Sequence, residues 1–152
     1  MFITITPDNI PEDYKNYKNI ELQGFVGDVT LDLSHCEILN CEKNKITSLP
    51  DLPNCKILNC YFNNLTLLPK LESCEKLYCG NNLLSSLHNL PKAIEIYCAF
   101  NQIVFIPELP SCKYLFCVEN KISELPNMPN IETLICFLNN IKEFPSCKNL
   151  LN

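Results

Sequence analysis

The chain is constrained most by a period. Cys41, Cys60, Cys79, Cys98, Cys117 and Cys136 stand 19 residues apart without an insertion, and so do Asn44, Asn63, Asn82, Asn101, Asn120 and Asn139. Two residues before each cysteine is Leu39, Leu58, Leu77, Ile96, Leu115 or Leu134; two after each asparagine is Ile46, Leu65, Leu84, Ile103, Ile122 or Ile141. A further apolar column, Leu49, Leu68, Leu87, Ile106, Leu125 and Phe144, leads into a phrase that is mostly "PxLP" (PDLP, PKLE, HNLP, PELP, PNMP). A fixed short period means that each unit buries its apolar face only against its neighbours, so the chain must stack as a solenoid.

Each position in the unit has a physical reason. Leu39, Asn40 and Cys41 read as a short strand with Leu39 and Cys41 inward and Asn40 outward, because strand side chains alternate. Copies stack in register as a parallel sheet. An asparagine side chain both donates and accepts, so the column Asn44 to Asn139 can satisfy the amides and carbonyls that a turn leaves unpaired. Only about eight residues remain for the return path, and proline recurs in it; proline fixes φ and cannot donate. That predicts an extended, polyproline-II-like return and few or no helices.

The composite pattern LxCxxNxLxxLPxLPxC resembles the leucine-rich repeat, whose unit reads LxxLxLxxNxL, with cysteine at two of the leucine positions. The resemblance implies a horseshoe with a parallel β-sheet on its concave face and a thin, extended convex side. It divides the chain into an N-terminal cap with a degenerate first repeat over 1–35, six repeats over 36–145 and an abbreviated repeat over 146–152. In the degenerate unit Ile20 and Leu22 are in frame, but Phe25 replaces the asparagine. The short LPxLP return is similar to the repeat domains of bacterial type III effectors. Those often add a cysteine ubiquitin-ligase domain, for which these 152 residues leave no room. The resemblance therefore implies either a free-standing binder or the substrate-recognition part of a ubiquitin-ligase system supplied in trans.

The cysteines invite a sharper hypothesis, that of a metal- or redox-active thiol protein. Cys36, Cys41, Cys55 and Cys60 read C-x4-C-x13-C-x4-C, a spacing that could in principle converge on zinc. Zinc holds its sulfurs at about 2.3 Å, whereas stacked strands stand about 4.8 Å apart. Cysteine is also a small, readily buried apolar residue, and Ala93 and Ile131 replace it in the same column. The expectation is core filler, with no metal and no cofactor. A nucleophilic cysteine would want a histidine base, but His35 sits in the cap and His88 stands where other units have proline. No catalytic residue is assigned. An odd count of 11 cysteines and an amino terminus without a secretory pattern argue against disulfides and for an intracellular, cytoplasmic setting.

A net charge of -5 without any arginine argues against nucleic acid, and no apolar run approaches a membrane span. Function is expected on the outward positions. Eight of the 14 aromatics fall there, and with Ile135 they form the candidate partner-binding set: Tyr61, Phe62, Tyr78, Tyr97, Phe100, Tyr114, Phe116, Ile135 and Phe137. Tyrosine and phenylalanine are favoured interface anchors. The bland alternative is that the rings only fill the space between rungs. The expected role is a non-enzymatic module that binds a protein partner of unknown identity.

Overall fold

The structure, a computed structural model, describes residues 1–144. The abbreviated final unit read over 146–152, with residue 145, lies outside the described residues. Ten short strands are joined by extended segments: β1 (Phe2–Ile5), β2 (Asn19–Leu22), β3 (Val26–Asp28), β4 (Ile38–Asn40), β5 (Lys45–Ser48), β6 (Ile57–Asn59), β7 (Lys76–Tyr78), β8 (Glu95–Tyr97), β9 (Tyr114–Phe116) and β10 (Thr133–Ile135). The one helical piece among the described residues is a 3-10 turn, Tyr14–Asn16. The molecule is a parallel β-solenoid with almost no helix.

Eight strands form one sheet in the order β1-β2-β4-β6-β7-β8-β9-β10. From β4 onward the register is the sequence period itself, Leu39 opposite Leu58, then Leu77, Ile96, Leu115 and Leu134. The repeats alone give seven rungs. The eighth is β1, which pairs with β2 at a spacing of 17 residues, Phe2 opposite Asn19. A second feature absent from the repeat pattern is a two-stranded parallel ladder of β3 with β5 beside the first turns. There the Asp28 carboxylate accepts bonds from Thr47 and Ser48, each at 2.7 Å.

The interior is built of columns. Leu39, Cys41, Ile46, Leu52 and Cys55 are all fully buried, as are their equivalents one unit later, Leu58, Cys60 and Leu65. The second proline of PxLP has a definite role: the N–H of Cys55 bonds the carbonyl of Leu52 at 3.2 Å, that of Ala93 bonds Leu90 at 3.2 Å, and that of Cys112 bonds Leu109 at 3.2 Å. Each is a turn with Pro53, Pro91 or Pro110 at its second position, where the φ preset by the ring is what the turn requires. Where a cysteine stands at this place in the unit, its thiol donates back to the backbone, Cys36 to Ile38 at 3.1 Å, Cys55 to Ile57 at 3.2 Å and Cys74 to Lys76 at 3.3 Å. A small side chain with a weak donor fits here better than leucine would.

The asparagines occupy the corner after each strand. Asn101 shows the pattern: its Oδ1 accepts the N–H of Leu84 at 3.0 Å, and its Nδ2 reaches the carbonyls of Cys79, Cys98 and Ala99 at 3.0, 3.1 and 3.3 Å. Asn44, Asn63, Asn82, Asn120 and Asn139 repeat it, each accepting from the preceding unit and donating to both units. In Asn101→Leu, an amide and up to three carbonyls lose this partner. Buried groups left so cost about 1–3 kcal/mol each, so the variant should unfold at clearly lower denaturant despite being more apolar. An unchanged midpoint would show that water replaces the side chain.

All ten described cysteines are free, and nine are buried; Cys136, on the last described rung, is half-buried. Burial pushes the Cys41, Cys74 and Cys117 thiols up to about 12, and those of Cys36 and Cys112 to about 11, from an ordinary 9.0. Cys60, Cys79 and Cys98 move the same way. A thiol whose folded value lies above its unfolded one favours the fold while protonated. Stability should therefore be full below about pH 9 and fall by up to about 1.4 kcal/mol per pH unit per thiol above it. Denaturant melts from pH 7 to 11 check this, with thiol labelling of Cys98 expected only after unfolding.

Candidate functional site

The outer face of the sheet is set by strand alternation. In every three-residue strand of the main sheet the middle residue points in, leaving the first and third facing out. The third positions run Asn40, Asn59, Tyr78, Tyr97, Phe116 and Ile135; the first run Ile38, Ile57, Lys76, Glu95, Tyr114 and Thr133. After the inward cysteine come Glu42, Tyr61, Gly80, Ala99, Val118 and Phe137. The face changes character along the stack. Its early rungs are polar, with Asn40 donating to Glu21 at 3.5 Å and Asn59 to Glu42 at 2.9 Å, a bond that lowers the Glu42 carboxyl from its ordinary value.

From the middle onward it is aromatic. Tyr61 and Tyr78 have ring centroids 6.4 Å apart, Tyr78 and Tyr97 5.3 Å, and Tyr97 and Phe116 are stacked at 4.2 Å and 8°. The Tyr97–Phe116 pair is a face-to-face stack, while Tyr61–Tyr78 and Tyr78–Tyr97 are tilted by 32° and 34°, so neighbouring rungs bring their rings into one continuous but only partly stacked run. Tyr78, Tyr97, Phe116 and Ile135 are half-buried, while Tyr114, Phe62, Phe100 and Phe137 are exposed. Packing between rungs accounts for part of the stack.

Two carboxylates orient the hydroxyls. Glu95 accepts from the Tyr78 hydroxyl at 3.1 Å and pairs with Lys76 at 2.9 Å; Glu132 accepts from Tyr114 at 2.8 Å and pairs with Lys113 at 2.8 Å. Burial and then the Glu95 bond raise the Tyr78 hydroxyl, and the Glu132 bond raises that of Tyr114, so all remain protonated donors at neutral pH. Neither clamp was anticipated, although opposite charges one period apart, Lys76 with Glu95 and Lys113 with Glu132, are the signal that could have found them.

At the strand exit the chain makes a sharp turn. Lys43, Phe62, Asn81, Phe100, Glu119 and Leu138 all have positive φ, between 54° and 58°, and Gly24 holds the same place in the first unit at 75°. This left-handed region costs a residue with a Cβ on the order of 1–2 kcal/mol, and glycine and asparagine far less. Gly24 and Asn81 suit it; Phe62, Phe100 and Leu138 do not, and half or more of each residue stays exposed, at 51%, 50% and 63%. Among the described residues no three metal-ligating side chains gather, and no helix is long and apolar enough to cross a membrane. The chain matches no family model, no curated protein and no solved structure in the comparisons made.

One close approach shapes the face. A Cβ on Gly80 would collide with Cε1 of Tyr61 and lie 3.0 Å from the Ala99 carbonyl oxygen. Tyr61 thus leans across the next rung, onto the one place in its column where a glycine lets it. Gly80→Ala should cost about 1–3 kcal/mol by overpacking, and Tyr61→Ser should relieve most of that cost in the double variant. Additive losses in the cycle would mean that the ring does not rest on Gly80.

Proposed function

We propose that the chain is a leucine-rich-repeat module of the short LPxLP kind, that its sheet lines the concave face, and that this face binds a protein partner without catalysis. The observation that carries the reading is the aromatic run from Tyr61 to Phe137, in which exposed Tyr114 and Phe137 flank a half-buried stack. A stack whose faces are already in contact is rigid before binding, so little side-chain freedom is lost when a partner arrives, and preorganised aromatic anchors are what protein interfaces favour. Stacked faces do not offer the flat platform that a sugar or base would use. They offer ring edges, hydroxyls held by Glu95 and Glu132, and alkyl surface at Ile135, which together suit a polypeptide.

The thiols favour this reading over a thiol-active one. The thiolate is the nucleophile and the metal ligand, and burial works against that form at Cys60, Cys79 and Cys98. Ten unpaired thiols among the described residues suit a reducing, intracellular setting.

The test is a pull-down with the wild type and with Tyr97→Ser combined with Phe116→Ser. Losing a stacked pair worth about 0.5–1.5 kcal/mol beyond its buried area should lower stability modestly and leave the solenoid folded. Retention of specific partners should fall more than about tenfold, equivalent to about 1.4 kcal/mol. Equal retention by the folded variant would move the interface off this face. Ligase subunits among the retained proteins would make the module the substrate-recognition part of a ubiquitin-ligase system.

A further inference from the structure

We propose that the strand-exit edge of the solenoid docks a proline-rich, basic segment held in the polyproline II conformation. This rests on the reading of the sheet face as a protein-binding surface and names the kind of partner. The edge column alternates: Lys43, Phe62, Asn81, Phe100, Glu119, Leu138. Polar residues hold every other rung, and the apolar ones between them are large, half-exposed or more, and placed in a backbone region that Asn81 and Gly24 occupy far more readily. Folding alone does not select phenylalanine at such a position. The positions recur every second rung, which at about 4.8 Å per rung puts them about 9.6 Å apart and spans about 19.2 Å from Phe62 to Leu138.

That spacing selects the partner's conformation. Same-face side chains of an extended strand recur every 6.6 Å or so, which does not match. Seven residues of an α-helix rise about 10.5 Å, so over two steps a helix drifts from the column by about 1.8 Å. Three residues of polyproline II rise about 9.3 Å, and the drift over two steps is about 0.6 Å. Aromatic ridges are also the surface such segments use, because the helix is preformed and loses little entropy on binding. Phe62 is backed by the Tyr61 ring, at 6.1 Å between centroids, which braces the first position of the ridge. Charge gives the second requirement. Lys43 is paired with Glu42 at 3.4 Å, whereas Glu119, between Phe100 and Leu138, makes no ion pair among the described residues. A lysine or arginine in the segment complements it.

The experiment is fluorescence anisotropy with a labelled peptide of five Pro-Pro-Lys repeats. The comparison probe is an alanine-based helical peptide of equal charge with leucine at every seventh position. The wild type is expected to bind the proline peptide more tightly than the helical one. Phe62→Asn combined with Phe100→Asn should weaken that binding more than about tenfold, with a melting midpoint shifted by no more than a few degrees, since Asn81 already occupies the same turn. Glu119→Gln should weaken it less and flatten its salt dependence. Absence of binding, equal binding by the folded double variant, or tighter binding of the helical peptide would each overturn the proposal. Should the proline peptide fail while the Tyr97→Ser and Phe116→Ser pair still abolishes partner retention, this inference falls and the sheet-face reading stands; failure of both removes both.

Discussion

From β4 onward each rung of this solenoid depends on one side-chain amide. The chain must leave each strand by a corner too tight for its backbone groups to find one another, and it does so in a setting that is buried at Asn63, Asn82 and Asn120 and partly buried at Asn44, Asn101 and Asn139. The asparagine at the corner solves this by holding carbonyls of two successive units while accepting an amide from the earlier one, as Asn63 does with Cys41, Cys60 and Ile46. Glutamine, one methylene longer, would not keep the same short bonds, and aspartate would bring a charge without the donors. The bond that closes one corner therefore fixes the register of the next, and a single residue inserted between cysteine and asparagine would break two units.

The corner also explains the left-handed residue before each asparagine. Turning the amide inward while the backbone N–H continues the ladder, as Phe62 N–H does to the Gly80 carbonyl at 3.1 Å, requires a positive φ at that point. The strain is small per unit, recurs at every turn from Lys43 to Leu138, and is offset by the bonds it permits. What the fold requires there is a conformation and not a side chain, so the identity of the residue is left open to selection for other ends.

Much of this was legible in the sequence because the period leaves so little freedom. The strand positions, the inward pairs such as Leu77 with Cys79, and the asparagine corner all follow from alternation and from counting. The extended return follows from prolines that cannot donate. The remainder was hidden for physical reasons. β1 has no repeat signature, because pairing with β2 asks only for alternation, which "FITI" satisfies as any short strand would. The positive φ at Phe62 and Phe100 was invisible because propensity points away from it, and only the tertiary corner imposes it. The stacking of Tyr97 on Phe116 was ambiguous, since residues one period apart on a face are adjacent whether they bind a partner or each other.

In a molecule built this way, stability is nearly a sum over units and their nearest-neighbour interfaces, and the core columns supply most of it. Leu58, Leu77, Ile96 and Leu115 are fully buried whatever stands beside them on the outer face. The third strand position can therefore run from asparagine at 40 and 59 to tyrosine at 78 and 97 and phenylalanine at 116 without disturbing the register. A monotonous interior is what makes a varied exterior affordable: the inward residues are held by packing to a few small apolar types, and the outward ones are constrained only by their neighbours one rung away. Gly80 beneath Tyr61 is the exception that shows the rule's range, because there an outer residue reaches across to dictate the next unit's side chain. The outer face is thus shaped rung to adjacent rung, and its change from amides and carboxylates at Asn40 and Asn59 to rings at Tyr78, Tyr97 and Phe116 needs no change in the core beneath it.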